Sequence, residues 1–257
     1  MRVLAVGAHP ADVELGCGGA LLAHRDRGDE IHLLVLAGPG GSPLEPDPRV
    51  AEQVTAAARL GAELHWGGFD DGRVPPGRDS VAAVESVILA IGCDVVYGHA
   101  PGDTHQDHRA AAEATMAASR RCRQVLLYEG PSSLHFDPVV YVDLEGRVGA
   151  KLDLLGVHRV EMVGSDLVDV SSVAARARHR GAQARVSHAE AFVSHRFVWE
   201  LAPVPSPLAD QGAPWGARSL VERREQSRRG PAGGTARDGT SLGGTALGGT
   251  ALDGTAQ

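Results

Sequence analysis

Short apolar segments rich in β-branched residues and leucine alternate along the chain with alanine-rich segments. The apolar runs predict strands at residues 3–6, 31–36, 63–66, 94–97 and 125–128, and the alanine-rich runs predict helices at 15–27, 50–60, 81–91 and 108–121. After Gly130 the pattern loosens to a strand at 139–142 and helices at 147–158 and 170–180. This alternation predicts an α/β fold: a Rossmann-like, mostly parallel, doubly wound sheet with helices on both faces.

The composition changes at Pro203, where the segment PVPSPLADQGAP is typical of a linker. From residue 233 onward the chain repeats short units of the GGTAL type, which are too poor in large apolar side chains to bury a core. We therefore predict one domain over residues 1–202. A Pro/Gly-rich linker and a low-complexity, disordered tail are predicted over residues 203–257.

Charge and cysteine content exclude several classes of protein. The net charge of −7 gives no electrostatic reason to expect nucleic acid as a partner. The three cysteines form no CxxC pair, which argues against a disulfide framework. The N-terminal MRVLAVG is predicted as the first strand rather than a signal peptide, and no apolar run approaches the ~20 residues that span a bilayer. We expect a cytoplasmic protein without an integral membrane segment, and homo-oligomerisation is left open.

Two clusters of histidine and carboxylate side chains follow two of the predicted strands. His9 and Asp12 come directly after the first strand, and His105, Asp107 and His108 come after the fourth. In a doubly wound sheet these strands often lie side by side where the strand order reverses, and ligands bind in the crevice at their carboxyl ends. His9, Asp12 and His108 would form a site of two histidines and one carboxylate, which suits zinc and also non-haem iron.

The glycine-rich segment GCGG at residues 16–19 follows the first cluster. Its distance from the first strand does not fit the tight GxGxxG turn of a dinucleotide-binding loop. We predict that these glycines instead allow a helix to pack closely against the sheet.

Several motifs together resemble those of the GlcNAc-phosphatidylinositol de-N-acetylase (PIG-L/LmbE-like) superfamily. They are AHPADVELGCGG, HQDHRAA, DPRVAE, the DDG that begins at Asp70, the lysine and histidine of AKLDLLGVH, and HAEAF. The resemblance covers residues 1 to about 200 and leaves the tail unmatched. It implies a zinc-dependent amidohydrolase that removes acetyl from an N-acetylglucosamine-type glycoside, giving the free amine and acetate.

The resemblance also implies roles for individual residues. One zinc ion per chain would bind His9, Asp12 and His108. His105 would stabilise the oxyanion and protonate the leaving amine, with Asp107 orienting and charging the imidazole of His105.

Four other residues match family positions with less defined roles. Arg49 and Asp71 match positions that contact the sugar, although a surface ion pair and a turn are the alternatives for these two residues. His188 and Glu190 match a family motif without an assigned role, and we expect a structural one.

Ala11 departs from the family motif, which reads AHPDD where this chain reads AHPAD. The aspartate missing here is the general base of the family, and losing such a base typically removes about 10²–10⁴-fold of rate. Three explanations are open: a deliberate substitution, a natural deacetylase that uses Glu14 or His105 instead, and a zinc- and sugar-binding pseudoenzyme. Glu14 could alternatively favour the N-terminus of the following helix.

The substrate class is predicted only in outline. The short core without large insertions, and the absence of an anchor segment, favour a soluble amino-sugar glycoside such as an intermediate in antibiotic biosynthesis. A nucleotide-dependent enzyme built on the same sheet is the competing hypothesis from another class.

Overall fold

A computed structural model describes residues 1–38, 47–160 and 169–199 of the protein. Seven strands lie in these residues: β1 Arg2–Gly7, β2 Glu30–Ala37, β3 Glu63–Phe69, β4 Val95–His99, β5 Gln124–Tyr128, β6 Val140–Asp143 and β7 Ala189–Phe197. The same residues hold six helices: α1 Asp12–Asp26, α2 Pro48–Leu60, α3 Arg78–Ile91, α4 Gln106–Ala118, α5 Val148–Leu155 and α6 Val170–Ala184. The tail predicted over residues 203–257 lies outside the described residues.

The strands form one sheet in the order β3-β2-β1-β4-β5-β7-β6. The first five strands of that order are parallel, and β7 and β6 are antiparallel to their neighbours. β1 pairs with β2 on one side and with β4 on the other, so the strand order reverses at β1. The predicted α/β class and the predicted pairing of the first and fourth strands are confirmed.

Both faces of the central strands are buried. Along β1, Val3 and Ala5 pack into one apolar cluster with α1, α2 and α5, whereas Leu4 and Val6 pack into another with α3 and α4. Strands covered on both faces have no polar face, which explains why most of β1 and the second half of β2 appear in the sequence as continuous apolar runs.

Strand β7, Ala189–Phe197, was missed by the sequence analysis, which placed no strand after residue 142. β7 lies between β5 and β6 and pairs with both in antiparallel fashion. Its sequence AEAFVSHRF lacks a clean alternation because Glu190 is buried along with Ala189, Ala191 and Phe192. A buried carboxylate inside a strand hides the apolar pattern from which strands are predicted.

The glycines of α1 allow this helix to lie directly against the sheet, as predicted. A Cβ on Gly16 would come 2.1 Å from the ring atom Cδ2 of Tyr128, and a Cβ on Gly19 would come 2.5 Å from Cδ2 of Leu144. The helix is kinked at Cys17, whose φ is −139°. The kink exposes backbone N–H groups in the middle of the helix, and these groups need acceptors.

Glu190 supplies those acceptors. Its carboxylate accepts hydrogen bonds from the backbone N–H of Gly19 and of Ala20, both at 2.7 Å. Lys151 donates to Glu190 and, at 2.8 Å, to the carbonyl of Leu15. Each side chain of this ion pair is only 4% exposed. Glu190 therefore has a structural role, which joins β7 and α5 to the kinked helix α1.

Replacing Glu190 with glutamine should lower the free energy of unfolding by about 3–5 kcal/mol, because Lys151 is then left as an unpaired buried charge. Denaturant unfolding followed by circular dichroism measures the change. The matched control is Glu85→Gln, which removes an exposed pair with Arg120 and should cost less than about 1 kcal/mol. Equal losses of unfolding free energy in the two variants would contradict the structural role of Glu190.

Within the described residues, no helix combines the length and the apolar character needed to cross a membrane.

Candidate active site

The side chains singled out in the sequence meet at the carboxyl ends of β1 and β4. His9 lies in the turn after β1, and Asp12 is the first residue of α1. His105 is the N-cap of α4, and Asp107 and His108 belong to its first turn. Because β1 and β4 are neighbours, these two helix N-termini open onto one crevice.

Asp12 lies at the centre of the cluster and is 8% exposed. Its Oδ2 accepts a hydrogen bond from the backbone N–H of His9 at 2.7 Å and lies 3.5 Å from His9 Nδ1. Its Oδ1 lies 3.5 Å from His108 Nε2. Burial raises the pKa of Asp12, but the neighbouring His99, His108 and His9 outweigh burial and hold this pKa well below its usual range. Asp12 is therefore ionised.

His9 is surrounded by carboxylates. Its Nε2 lies 3.0 Å from Asp107 Oδ2 and 3.3 Å from Asp71 Oδ1, and Asp12 faces its other nitrogen. Burial lowers the pKa of His9, but hydrogen bonds and charges from these carboxylates outweigh it and raise the pKa to about 9. The crevice thus concentrates negative charge and attracts a cation.

Asp103 holds His108 in place from the side away from Asp12. Asp103 Oδ2 lies 3.3 Å from His108 Nδ1. Its Oδ1 accepts from the backbone N–H of His105 at 2.8 Å and from Ser132 Oγ at 2.7 Å. A carboxylate behind a ligating histidine fixes which ring nitrogen faces the metal. Asp103 comes two residues before His105 in the sequence, and no role was predicted for it.

His99 is a member of the cluster that the sequence analysis missed. It is the last residue of β4 and 1% exposed. Its Nε2 lies 3.2 Å from Asp12 Oδ2 and 3.1 Å from the backbone N of Ala8, and its ring stacks on His108 with centroids 4.3 Å apart. The available signal was its position, since a histidine at the carboxyl end of a central strand points to the ligand crevice.

The described residues contain three sets of donor atoms in this crevice, with the atoms of each set within 4.8 Å of one another. The sets are Asp12, His99 and His108; His9, His105 and His108; and His9, Asp71 and Asp107. The predicted ligands His9, Asp12 and His108 are brought together, with Asp12 between the two rings. Two imidazoles and one buried carboxylate fit a zinc ion.

Asp107 does not contact His105 in the predicted way. Its carboxylate accepts from the backbone N–H of Gly72 at 2.7 Å and of Val74 at 3.3 Å, and it contacts His9. The reason is geometric: the side chain of Asp107 points from the first turn of α4 towards the 72–74 segment. Instead, the backbone N–H of Asp107 donates to His105 Nδ1 at 3.2 Å. No hydrogen bond joins this carboxylate to the ring of His105 in the described residues, although, against burial and the neighbouring histidines, which lower the pKa of His105, its charge raises that pKa. The orienting role of Asp107 therefore stays a prediction.

Arg49 and Asp71 lie at the mouth of the crevice as an ion pair. Arg49 Nη1 is 2.8 Å from Asp71 Oδ2, and Arg49 also contacts Asp47 at 2.7 Å. Asp71 Oδ1 in turn reaches His9. A shallow pocket is found here, and it has no room for a water molecule as the side chains stand. It is lined by the three charged residues together with His9, Pro10, Ala37, Gly38, Val50 and Trp66.

Ala11 has a backbone conformation that is unusual for alanine. Its φ is 75° and its N–H donates to Gln53 Oε1 at 3.1 Å. The amide of Gln53 also donates to Glu14 Oε1 at 2.8 Å, and Glu14 Oε2 lies 3.5 Å from His158 Nε2. Glu14 is fully buried among these partners. Its carboxylate faces Gln53 and His158, and Glu14 belongs to the first turn of α1, where a negative charge is favourable.

Comparison with known proteins shows the family of the chain. The profile of the family described as GlcNAc-PI de-N-acetylase (PIG-L) matches residues 4–119. An Escherichia coli (strain K12) protein named uncharacterized deacetylase YaiS is 36% identical over 167 residues, which cover 61% of this chain and 90% of that protein. The chain therefore belongs to the GlcNAc-PI de-N-acetylase (PIG-L) family, whose named activity is deacetylation.

Solved structures share the fold. N,N'-diacetylchitobiose deacetylase from Pyrococcus horikoshii superposes with a TM-score of 0.64 at 20% identity, covering 75% of this chain and 83% of that one. GalB, a 4-carboxy-2-hydroxymuconate hydratase from Pseudomonas putida, superposes with a TM-score of 0.67 at 20% identity, covering 78% of this chain and 99% of that one. Because a hydratase and a deacetylase both carry this fold, the reaction has to be argued from the site.

The conformation of Ala11 leads to a stability prediction. A left-handed backbone costs a residue with a Cβ roughly 1–2 kcal/mol, while glycine adds about 0.5–1 kcal/mol of chain entropy. Ala11→Gly should therefore leave the free energy of unfolding unchanged or raise it by up to about 1 kcal/mol.

The control is Ala20→Gly, at a buried position inside α1, which should lower the free energy of unfolding by about 1 kcal/mol or more. Thermal unfolding measures both variants. Equal destabilisation would show that Ala11 is not strained.

Proposed function

We propose that this protein is a zinc-dependent N-deacetylase that hydrolyses the acetamide of a soluble N-acetylglucosamine-type glycoside in the cytoplasm, and that Ala11 makes it slow. The observation that carries the proposal is the buried contact of Asp12 with both His9 and His108 in the crevice between β1 and β4. Family membership supplies the reaction type, because the family and its Escherichia coli relative are named for deacetylation.

His9, Asp12 and His108 would hold the zinc ion. The excess of carboxylates around His9 favours a cation, and Asp103 keeps His108 aligned. Bound zinc supplies Lewis acidity to the acetyl carbonyl and to the attacking water. His99, packed against His108 and Asp12, excludes solvent from the inner side of the ligands.

His105 is the group that can donate a proton to the reacting amide. Its Nδ1 accepts the backbone N–H of Asp107, so the proton of the neutral ring lies on Nε2. His105 is more exposed than His9 and His108 and lies at the rim where substrate arrives. From there Nε2–H can stabilise the developing oxyanion and then assist the leaving amine.

Asp71 and Arg49 would bind the sugar. Both line the pocket beside His9, and each carries a charged group that can hydrogen-bond to a hydroxyl. Because the two side chains already form an ion pair, they are fixed before substrate binds. Fixed polar groups lose less conformational entropy when they bind a ligand.

Among the described residues, neither alternative base suits the role: Glu14 is engaged with Gln53, and the Nε2 of His105 would already carry a proton. Activation of the attacking water would then rest on the zinc ion. The same geometry suits the pseudoenzyme alternative, and only a rate measurement separates slow turnover from none.

The variant Ala11→Asp should release acetate from an N-acetylglucosamine glycoside about 10²–10⁴-fold faster than the present chain, because it restores a positioned base. Acetate is measured in the presence of zinc. The matched control is Ala11→Asn, which has the same shape but cannot accept the proton, and it should bring no gain.

Two outcomes would contradict this account. If the asparagine variant is accelerated as much as the aspartate variant, the effect is one of shape rather than of proton transfer. If Ala11→Asp stays inert with zinc bound, on N,N'-diacetylchitobiose as well as on simpler glycosides, the deacetylase function is wrong.

Asp103→Asn should weaken zinc binding in the crevice about 10–100-fold, as expected for losing the carboxylate behind a ligating histidine. Competition against a chromophoric chelator measures the dissociation constant. Asp137→Asn, at an exposed carboxylate, is the control and should leave that constant unchanged. An unchanged constant for Asp103→Asn would remove Asp103 from the metal site.

A further inference from the structure

A second group of metal-binding side chains lies on the sheet away from the active site. The sequence Glu-x-His occurs on two adjacent parallel strands, as Glu30 and His32 on β2 and as Glu63 and His65 on β3. Residues two apart share one face of a strand, and His32 is directly opposite Glu63. All four side chains therefore project from the same face.

The nitrogens and oxygens of this group are spaced like the ligands of one ion. His32 Nδ1 is 3.2 Å from His65 Nε2 and 3.5 Å from Glu63 Oε2, and His65 Nε2 is 3.9 Å from Glu63 Oε1. Tetrahedral zinc with bonds of about 2.0–2.1 Å separates neighbouring ligand atoms by about 3.3–3.4 Å. Small side-chain adjustments would bring all three donors onto one ion.

We infer that His32, His65 and Glu63 form a second binding site for zinc, independent of the active site and of the proposed function. His32 precedes Ala37, the end of β2 beside the active-site pocket, by five residues. At about 3.3 Å per residue that is a separation of roughly 16 Å. Two histidines and one carboxylate leave a fourth position for water, and this donor set suits zinc.

Glu30 prepares His32 for this role. Its Oε1 lies 3.0 Å from His32 Nε2, so the ring donates there and turns the lone pair of Nδ1 towards His65. His32 is 3% exposed, which fixes the ring further.

A metal-free polar cluster is the competing explanation. In such a cluster one proton between the two facing ring nitrogens satisfies both rings, and Glu63, whose side chain is 67% exposed, is solvated by water. A divalent cation would instead bind both nitrogens and the carboxylate together, and the spacing of these atoms favours that arrangement.

The consequence concerns the edge of the sheet. In the described strand order β3 is the terminal strand and pairs only with β2. An ion bound to residues of both strands would clamp β3 onto the sheet. Because metal binds the folded chain, zinc should raise the temperature of thermal unfolding through this site.

The test uses the full chain with the active site disabled by His9→Gln and His108→Gln, which together remove a ligand from each donor set in the crevice. We expect this background to bind one zinc ion per chain by calorimetry and to gain thermal stability from zinc. Adding His65→Gln should abolish both effects. Adding His195→Gln, at an exposed strand histidine, should preserve both.

If the background binds no zinc, or if His65→Gln and His195→Gln bind it equally, the second site does not exist. If the doubly substituted background fails to fold, His65→Gln and His195→Gln are compared in the otherwise unaltered chain. There His65→Gln should bind one zinc ion fewer per chain, and His195→Gln should bind as many as the unaltered chain. Glu30→Gln should weaken this site about 10–100-fold. This test does not measure acetate release. A negative result would therefore rule out the second zinc site and leave the proposed deacetylase function untouched.

Discussion

The reversal of strand order at β1 is the constraint on which the site depends. On either side of the reversal, α1 and α4 cross to opposite faces of the sheet, so their N-termini separate and leave a crevice. Asp12 begins one helix and His108 lies in the first turn of the other. Two segments that are far apart in the sequence therefore share the buried carboxylate of Asp12.

Carboxylates behind imidazoles recur throughout the polar interior. Asp107 contacts His9, Asp103 contacts His108, and each of these carboxylates is further tied to backbone N–H groups. Such pairs fix the tautomer and the orientation of a ring before any ligand arrives. Without a cation they also gather negative charge, and the raised pKa of His9 shows that a proton compensates part of it. The site is thus built for a positive charge at its centre.

The sequence was sufficient for the parallel half of the fold and for the main members of the site. Apolar runs bounded by helical segments identified β1 and β4, and the polar residues at their ends identified His9 and Asp12. What the sequence could not supply is the direction in which a side chain points. The partners of Asp107 depend on the 72–74 loop and on no local pattern.

Strand β7 was hidden for a related reason. Glu190 is buried there because Lys151 and the kinked backbone of α1 compensate its charge. These partners lie far away in sequence, so a strand with a carboxylate inside does not look like a core strand. The same long-range dependence explains Glu14, whose partners Gln53 and His158 appear only in three dimensions.

The backbone at Ala11 has a left-handed conformation that is unfavourable for an alanine side chain. A left-handed φ is costly for alanine and is several-fold more frequent for aspartate, whose carboxylate can bond locally. Gln53 still accepts the N–H of Ala11, and Glu14 still holds Gln53. The hydrogen bonds that hold the backbone of residue 11 are therefore in place although its side chain carries no carboxylate. Strain of this kind persists where the surrounding structure imposes it, which supports the proposal that Ala11 affects proton transfer and not the groups that would bind metal and sugar.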